Sequence, residues 1–241
     1  MNTQWMERTR LLVGDDGLKK LNQAHVLIAG MGGVGSFAAE FIARAGVGKM
    51  TIIDGDVVEP TNRNRQLPAL ATTHGLSKAR LMEERILQIN PEIEIQVLEE
   101  FIQPERAYEI MQLYPYNYVI DAIDSITPKL YFLEAAYILK LPLISSMGAG
   151  GKLDPTILKV VDISETHTCP FAQYVRKRLK KMGIYKGIQT VFSPEKVKKE
   201  SLMMTDGRNY KKSAYGTISY LPATFGSVCA SVAIRGIIQR S

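Results

Sequence analysis

Six residues near the amino end, Gly30-Met31-Gly32-Gly33-Val34-Gly35, carry the spacing Gly-x-Gly-x-x-Gly. They follow a short apolar run, His25 to Gly30, and precede Ser36 to Ala45, where Ala, Phe and Ile recur at helical spacing. In a strand–turn–helix of this kind one glycine permits the tight turn, a second lets backbone approach a phosphate or sugar, and a third lets helix and strand touch. The helix start adds unpaired N–H groups and a partial positive charge. A nucleotide site is the expectation; a purely structural turn is the plainer alternative. Asp54 closes the next β-branched run, 24 residues after Gly30, where an acid suits ribose hydroxyls. That much fits NAD as well as ATP.

The residues after Asp54 separate the two. Asp56 opens a polar cluster that ends in Asn62-Arg63-Asn64-Arg65-Gln66; its arginines, with Lys78 in Gly75-Leu76-Ser77-Lys78, supply cations suited to a triphosphate, whereas a dinucleotide carries only a pyrophosphate. Asp121-Ala122-Ile123-Asp124, at the end of another β-rich run, adds a carboxylate able to hold Mg²⁺. An NAD-dependent oxidoreductase would use the glycine loop and Asp54 and leave Arg65, Lys78 and Asp124 without work. Cys169 and Cys229, the only two cysteines, cannot form a disulfide framework or a four-cysteine zinc site, and a reducing compartment follows. Cys169, two residues after His167, has two readings, a thiolate nucleophile or an inert, partly buried thiol; Cys229 reads as core. His25, His74 and His167 are too scattered for a metal site.

These residues need a scaffold, and the chain is long enough to build one. Its 241 residues, 46% hydrophobic and 22% charged, suit one or two globular domains. Helical periodicity over Ser77 to Ile89, with Leu81, Ile86 and Ile89 on the apolar face, ends at Asn90-Pro91. Ile93 to Leu98, Tyr118 to Ile123 and Leu143 to Ser146 read as strands and Pro128 to Leu139 as a helix. Such alternation predicts a parallel sheet covered on both faces. Beyond Gly148-Ala149-Gly150-Gly151 the rhythm changes: Ile157 to Ile163 reads as a strand, Phe171 to Lys181 as a basic amphipathic helix, and the Lys-rich stretch to Lys212 as partly loop. Ala223 to Ile238 reads as a closing helix with Ala223, Gly226, Ala230 and Ala233 on a small-residue face, too apolar to stand away from the sheet. The expectation is one domain over 1–241, with a nucleotide-binding half (1–147) and a substrate-side half (148–241). No apolar run reaches the roughly 18 residues of a membrane span, and Met1 to Arg10 lacks a signal-peptide core, so a soluble, cytoplasmic protein with no membrane partner is expected.

The glycine loop, the Asp-x-Asp and Asn-x-x-Arg-Gln run, Ser77-Lys78-Ala79 and Asp121 to Ser125 together resemble the ThiF/MoeB/HesA superfamily, relatives of ubiquitin-activating enzymes. Leu76 to Ala79, Gln88-Ile89-Asn90-Pro91, Gly148 to Gly151 with Asp154-Pro155, and Ala223-Thr224-Phe225-Gly226 are similar to one branch, the tRNA threonylcarbamoyladenosine dehydratases. The resemblance runs from about Arg10 to the carboxyl end. It implies an α/β, Rossmann-like, doubly wound and mainly parallel sheet, ATP and Mg²⁺ as cofactors, and no structural zinc. It implies Asp54 on the ribose, and Gly30, Gly32, Gly33 and Gly35 around the nucleotide. Asn62, Arg65 and Lys78 would meet the phosphates, Gln66 would shape the loop with Asp56 nearby, and Asp124 would hold the metal. Arg10 resembles an arginine that reaches a neighbouring subunit's phosphates, which implies a homodimer. The chemistry implied is adenylation of a carboxylate, on a tRNA side arm or, alternatively, on the tail of a ubiquitin-like sulfur-carrier partner. Relatives of the second kind commonly carry two Cys-x-x-Cys zinc pairs that are missing here. Some dehydratase relatives carry a cysteine in the stretch equivalent to Asn209–Ser213; here there is none. A non-catalytic nucleotide-binding adaptor would leave the full polar set unused.

Charge adds one more expectation. Tyr174 to Lys212 holds 12 Lys and Arg against 3 acids, a balance of +9, so the rest of a chain with net charge +6 carries −3. Arg176, Lys177, Lys180 and Lys181 fall on the predicted basic helix and are candidate tRNA contacts, against the plainer reading of a solvated face.

Overall fold

The computed structural model describes residues 4–204 and 213–239. Seven strands form the central sheet: β1 (His25–Ala29), β2 (Lys49–Ile53), β3 (Glu94–Leu98), β4 (Tyr118–Asp121), β5 (Leu143–Ser146), β6 (Lys159–Asp162) and β7 (Gln189–Phe192), in the order β3-β2-β1-β4-β5-β7-β6. All neighbours are parallel except β6, which runs antiparallel to β7 at the edge. Every residue of β1 is buried, as expected for a parallel strand covered on both faces.

The helices are α1 (Glu7–Gln23), α2 (Gly35–Arg44), α3 (Lys78–Ile89), α4 (Pro104–Gln112), α5 (Ile126–Ile138), α6 (Pro170–Lys181) and α7 (Tyr220–Ile238). Val26 and Ile28 of β1 pack with α1, α2, α3 and α7, while Leu27 and Ala29 pack with α4 and α5. A third apolar cluster joins α5 to α6 and β7 through Leu130, Leu133, Val175, Leu179 and Phe192. Fully buried side chains such as Ile28, Ile42 and Ile52 each contribute about 1.5–3 kcal/mol by leaving water. Strands β8 (Leu202–Met204) and β9 (Ser213–Tyr215) form a separate antiparallel ribbon. The end of the basic segment, 205–212, lies outside the described residues, and so does most of the stretch where dehydratase relatives carry a cysteine.

Strand and helix positions follow the sequence rhythm, with four differences. On α3 the buried apolar positions are Ala79, Met82 and Ile86, at helical spacing, and Leu81 is only half-buried because it lies about 100° round the helix from Met82. Helix α1 escapes the periodicity because it buries only Gly17 and Leu21 and breaks at Gly14, whose φ of +74° is left-handed. Helix α4 does carry signals, Pro104 at its start and the spacing of Ala107, Ile110 and Met111. Finally, β7 enters the sheet between β5 and β6, so strands from both sides of Gly151 share one sheet.

Helix α7 is long and apolar enough by composition to cross a membrane, with a mean hydropathy of 1.5, yet half of it is buried inside the protein. It lies against α1, α2 and the sheet. A Cβ on Gly226 would sit 2.3 Å from the carbonyl oxygen of Val34, so only glycine lets α7 come this close to the glycine loop.

Candidate nucleotide site

Strand order reverses direction at the β1–β4 boundary, and in open α/β sheets the crevice beyond the strand ends at that point takes ligands. Gly30 follows β1, Asp54 follows β2 and Asp124 follows β4, so the sheet delivers all three to this crevice.

Protein packing demands two of the loop glycines and crowds a third. A Cβ on Gly35 would fall 1.7 Å from the Gly30 oxygen, one on Gly30 2.8 Å from the Ala122 oxygen, and one on Gly33 3.0 Å from Pro222 Cβ. Gly32 is different: the nearest atom to its virtual Cβ is Gln66 Nε2, at 3.8 Å. No described residue needs a glycine there, so the open space is suited to a ligand. Beside it Gln66 Oε1 is buried without a hydrogen-bond partner. An orphaned buried acceptor next to an unfilled backbone cradle fits a bound nucleotide.

The Asp54 carboxylate accepts from the Met31 N–H at 2.6 Å and the Asp56 N–H at 2.7 Å, one bond to each oxygen. Each oxygen keeps a second lone pair, as a ribose diol requires. Burial raises the Asp54 pKa, against the pull of the nearby Lys78 charge and the two N–H groups. Lys78, the first residue of α3, is buried and donates to Asp56 Oδ2 at 3.1 Å. Arg65 lies over the glycine loop, its Cγ 3.3 Å from the virtual Cβ of Gly33, and its Nη1 donates to the Thr61 carbonyl and Asn64 Oδ1. Burial lowers the Arg65 pKa and the Asp124 carboxylate counters this, which places the two charges within reach of each other.

The structure therefore gathers Gly32, Asp54, Asp56, Arg65, Gln66, Lys78 and Asp124. Two of the expected site residues, Asn62 and Asp56, carry structural duties as well. Asn62 is buried and its Oδ1 accepts from the Glu59 N–H, which shapes the turn that presents Arg65. Asp56 is the ion partner of Lys78. Arg10 stands apart on α1, facing Asp15 at 3.6 Å, next to Leu11 and Leu12, which are 82% and 87% exposed. No cluster of three or more His, Cys, Asp or Glu able to hold a metal occurs among the described residues. Mg²⁺ bound through one carboxylate and substrate phosphates needs no such cluster, so Asp124 fits as its protein ligand.

Sequence reasoning missed the buried lysines. Lys129 is fully buried against Asp121, and Lys152 donates to the carbonyls of Gly148 and Ser193 at 3.0 and 3.1 Å. The available signal for Lys129 was its place in an α5 that is apolar on every side. On α6, Lys177, Arg178, Lys180 and Lys181 are exposed. Arg176 is withdrawn from that face, because its Nη1 donates to the Thr166 carbonyl at 2.7 Å and to the Thr166 hydroxyl. Cys169 is 2% exposed within the α5–α6 cluster, and burial pushes the Cys229 thiol up to about 12, so both suit the inert reading.

The ThiF family model matches residues 6–241. The chain belongs to the ThiF family. It is 48% identical to the tRNA threonylcarbamoyladenosine dehydratase of Bacillus subtilis (strain 168), over 78% of this chain and 74% of the relative. Its identity to the Escherichia coli (strain K12) protein of the same name is 38%, covering 98% of this chain and 96% of that one. The crystal structure of the E. coli protein in complex with ATP is similar with a TM-score of 0.87, at 39% identity over 98% of this chain and 94% of that one. This ThiF-family likeness bears out the Rossmann-like sheet and the nucleotide-binding expectation together.

Proposed function

We propose that the protein is an ATP-dependent tRNA threonylcarbamoyladenosine dehydratase. The observation that carries the reading is the Gly32 cradle beside Gln66, with Asp54, Arg65, Lys78 and Asp124 around it. The near full-length likeness to dehydratases supports the acceptor.

A carboxylate oxygen on the threonylcarbamoyl side arm attacks the α-phosphorus of ATP, and pyrophosphate leaves. Arg65 and Lys78 stand where negative charge grows on the phosphoryl oxygens, so the protein contributes positioning and electrostatic stabilisation. A magnesium ion held by Asp124 and the phosphates would neutralise further charge. A nucleophile within the same arm then attacks the activated carbonyl carbon, AMP departs, and the arm has lost one water overall. A ubiquitin-like sulfur-carrier tail is the alternative acceptor. Mass spectrometry of tRNA nucleosides after incubation with ATP tests the choice. The expected result is a modified adenosine 18 mass units lighter, about the mass of one water, with AMP formed in step. An unchanged nucleoside refutes the reading.

The described part of the basic segment supports a tRNA partner. Arg178 and Lys181 of α6, with Tyr131 and Glu134 of α5, line a groove of about 320 Å³ beside the exposed lysines. We read the exposed Leu11 and Leu12 beside Arg10 as an arm that docks on a second copy, making a homodimer whose sites share Arg10. An active monomer in light scattering at assay concentration would refute it. This reading makes one functional unit of 1–241, with its nucleotide half before and its substrate half after residue 147, working in the cytoplasm where tRNA is.

A further inference from the structure

A buried ion pair lies beneath the Asp124 loop. Asp121, the last residue of β4, and Lys129 of α5 are both fully buried, with Nζ 2.7 Å from Oδ2. Ser145 of β5 donates its hydroxyl to the same carboxylate oxygen at 2.6 Å. The two peptide units leading into Asp124, on either side of Ile123, are both held. The Ile123 N–H donates to Asp121 Oδ1 at 3.1 Å, and the Ile123 carbonyl accepts from Lys129 Nζ at 3.0 Å. One residue earlier, the Ala122 carbonyl closes against Gly30, whose missing Cβ would lie 2.8 Å away. Asp124 is the next residue along.

Such a pair is a poor way to gain stability, since desolvating two charges offsets most of their attraction and apolar replacements often serve as well. Its neighbours Pro128, Leu130, Phe132 and Leu133 are buried, so a lysine here needs another reason. The ammonium also sits 5.6 Å from the centre of the Phe171 ring, near the start of α6, and Phe171 Cβ crowds Gly148 at 3.0 Å from its virtual Cβ. One charge therefore meets both the Asp124 loop and the base of the basic helix.

We propose that Asp121 and Lys129 are positioning residues for adenylation: together they fix the Ile123 peptide so that Asp124 is aimed at the phosphates the glycine loop presents. The proposal rests on the adenylating reading above. Its test is the double variant D121N/K129M, which removes both charges with similar shapes and leaves none unpaired, with Ser145→Ala as a second variant that keeps both charges. The double variant is expected to melt near the parent temperature and to bind ATP within about threefold of parent. Its kcat for AMP formation on modified tRNA should fall by about 10²-fold, the scale of a small misplacement of a reacting group. Ser145→Ala should show the same pattern at about three- to tenfold, since one bond to Asp121 is lost. Parent-like kcat in the folded double variant overturns the proposal, as does a loss confined to stability or to the KM for ATP. Should the double variant not fold, parent-like kcat in Ser145→Ala overturns it. A parent enzyme that forms no AMP with modified tRNA refutes the underlying reading instead.

Discussion

Lys78→Met is expected to lower turnover by about 10²- to 10³-fold, the range for removing one preorganised charge from a site where negative charge develops. Lys78 is 5% exposed and its ammonium is held 3.1 Å from Asp56, which itself follows Asp54 by two residues. Burial weakens solvent screening, so the charge counts for more here than on a surface. Methionine keeps the length and apolar character of the stem, and Asp56, with its side chain 42% exposed, stays solvated without its partner. The fold should therefore survive, and the loss should appear in kcat more than in ATP affinity. Single-turnover AMP formation measures it. Arginine should not rescue, because at a buried contact a planar guanidinium fork does not replace a compact ammonium. Turnover equal to the parent would remove Lys78 from the site.

The second large effect concerns the α6 surface. Reversal of Lys177, Lys180 and Lys181 to glutamate should weaken tRNA binding by about 10²-fold or more at low salt and leave ATP binding alone. These three side chains are exposed, whereas Arg176 is spent on Thr166 and belongs in the helix mount. A folded RNA meets several cations at once, so the parent should show a log–log salt slope of about −3 to −5, and the variant a shallower one. Filter binding across a salt titration reads both. Identical curves for parent and variant would make this a face that serves solubility alone.

Much of the fold was legible because its signals are local. The apolar run before Gly30, the β-branched run before Asp54 and the Asn90-Pro91 stop each act within a few residues, and each strand or helix they predict is present. The glycine loop was legible for the same reason, since tight turn, helix start and phosphate cradle lie within six residues. Helix α1 was not, because an arm that buries only two residues writes no periodic stripe.

The chain's sequence alone set the strand–helix rhythm, the place of the nucleotide crevice, and the expectation of a triphosphate from Arg65, Lys78 and Asp124. Tertiary structure decided which groups are spent and which are open. It separated Gly32, left clear for a ligand, from Gly30 and Gly35, which packing requires, and from Gly33, which Pro222 crowds. It gave Lys78 its Asp56 partner across 22 residues and Ser145 its Asp121 partner across 24. It turned Arg176 toward Thr166 and sank Lys129 beneath the Asp124 loop. Backbone conformation is set by near neighbours and leaves a pattern in the residue order. Burial and ion pairing depend on which distant segments the sheet brings side by side, and a lysine reads the same in the sequence whether it ends in water or against a carboxylate.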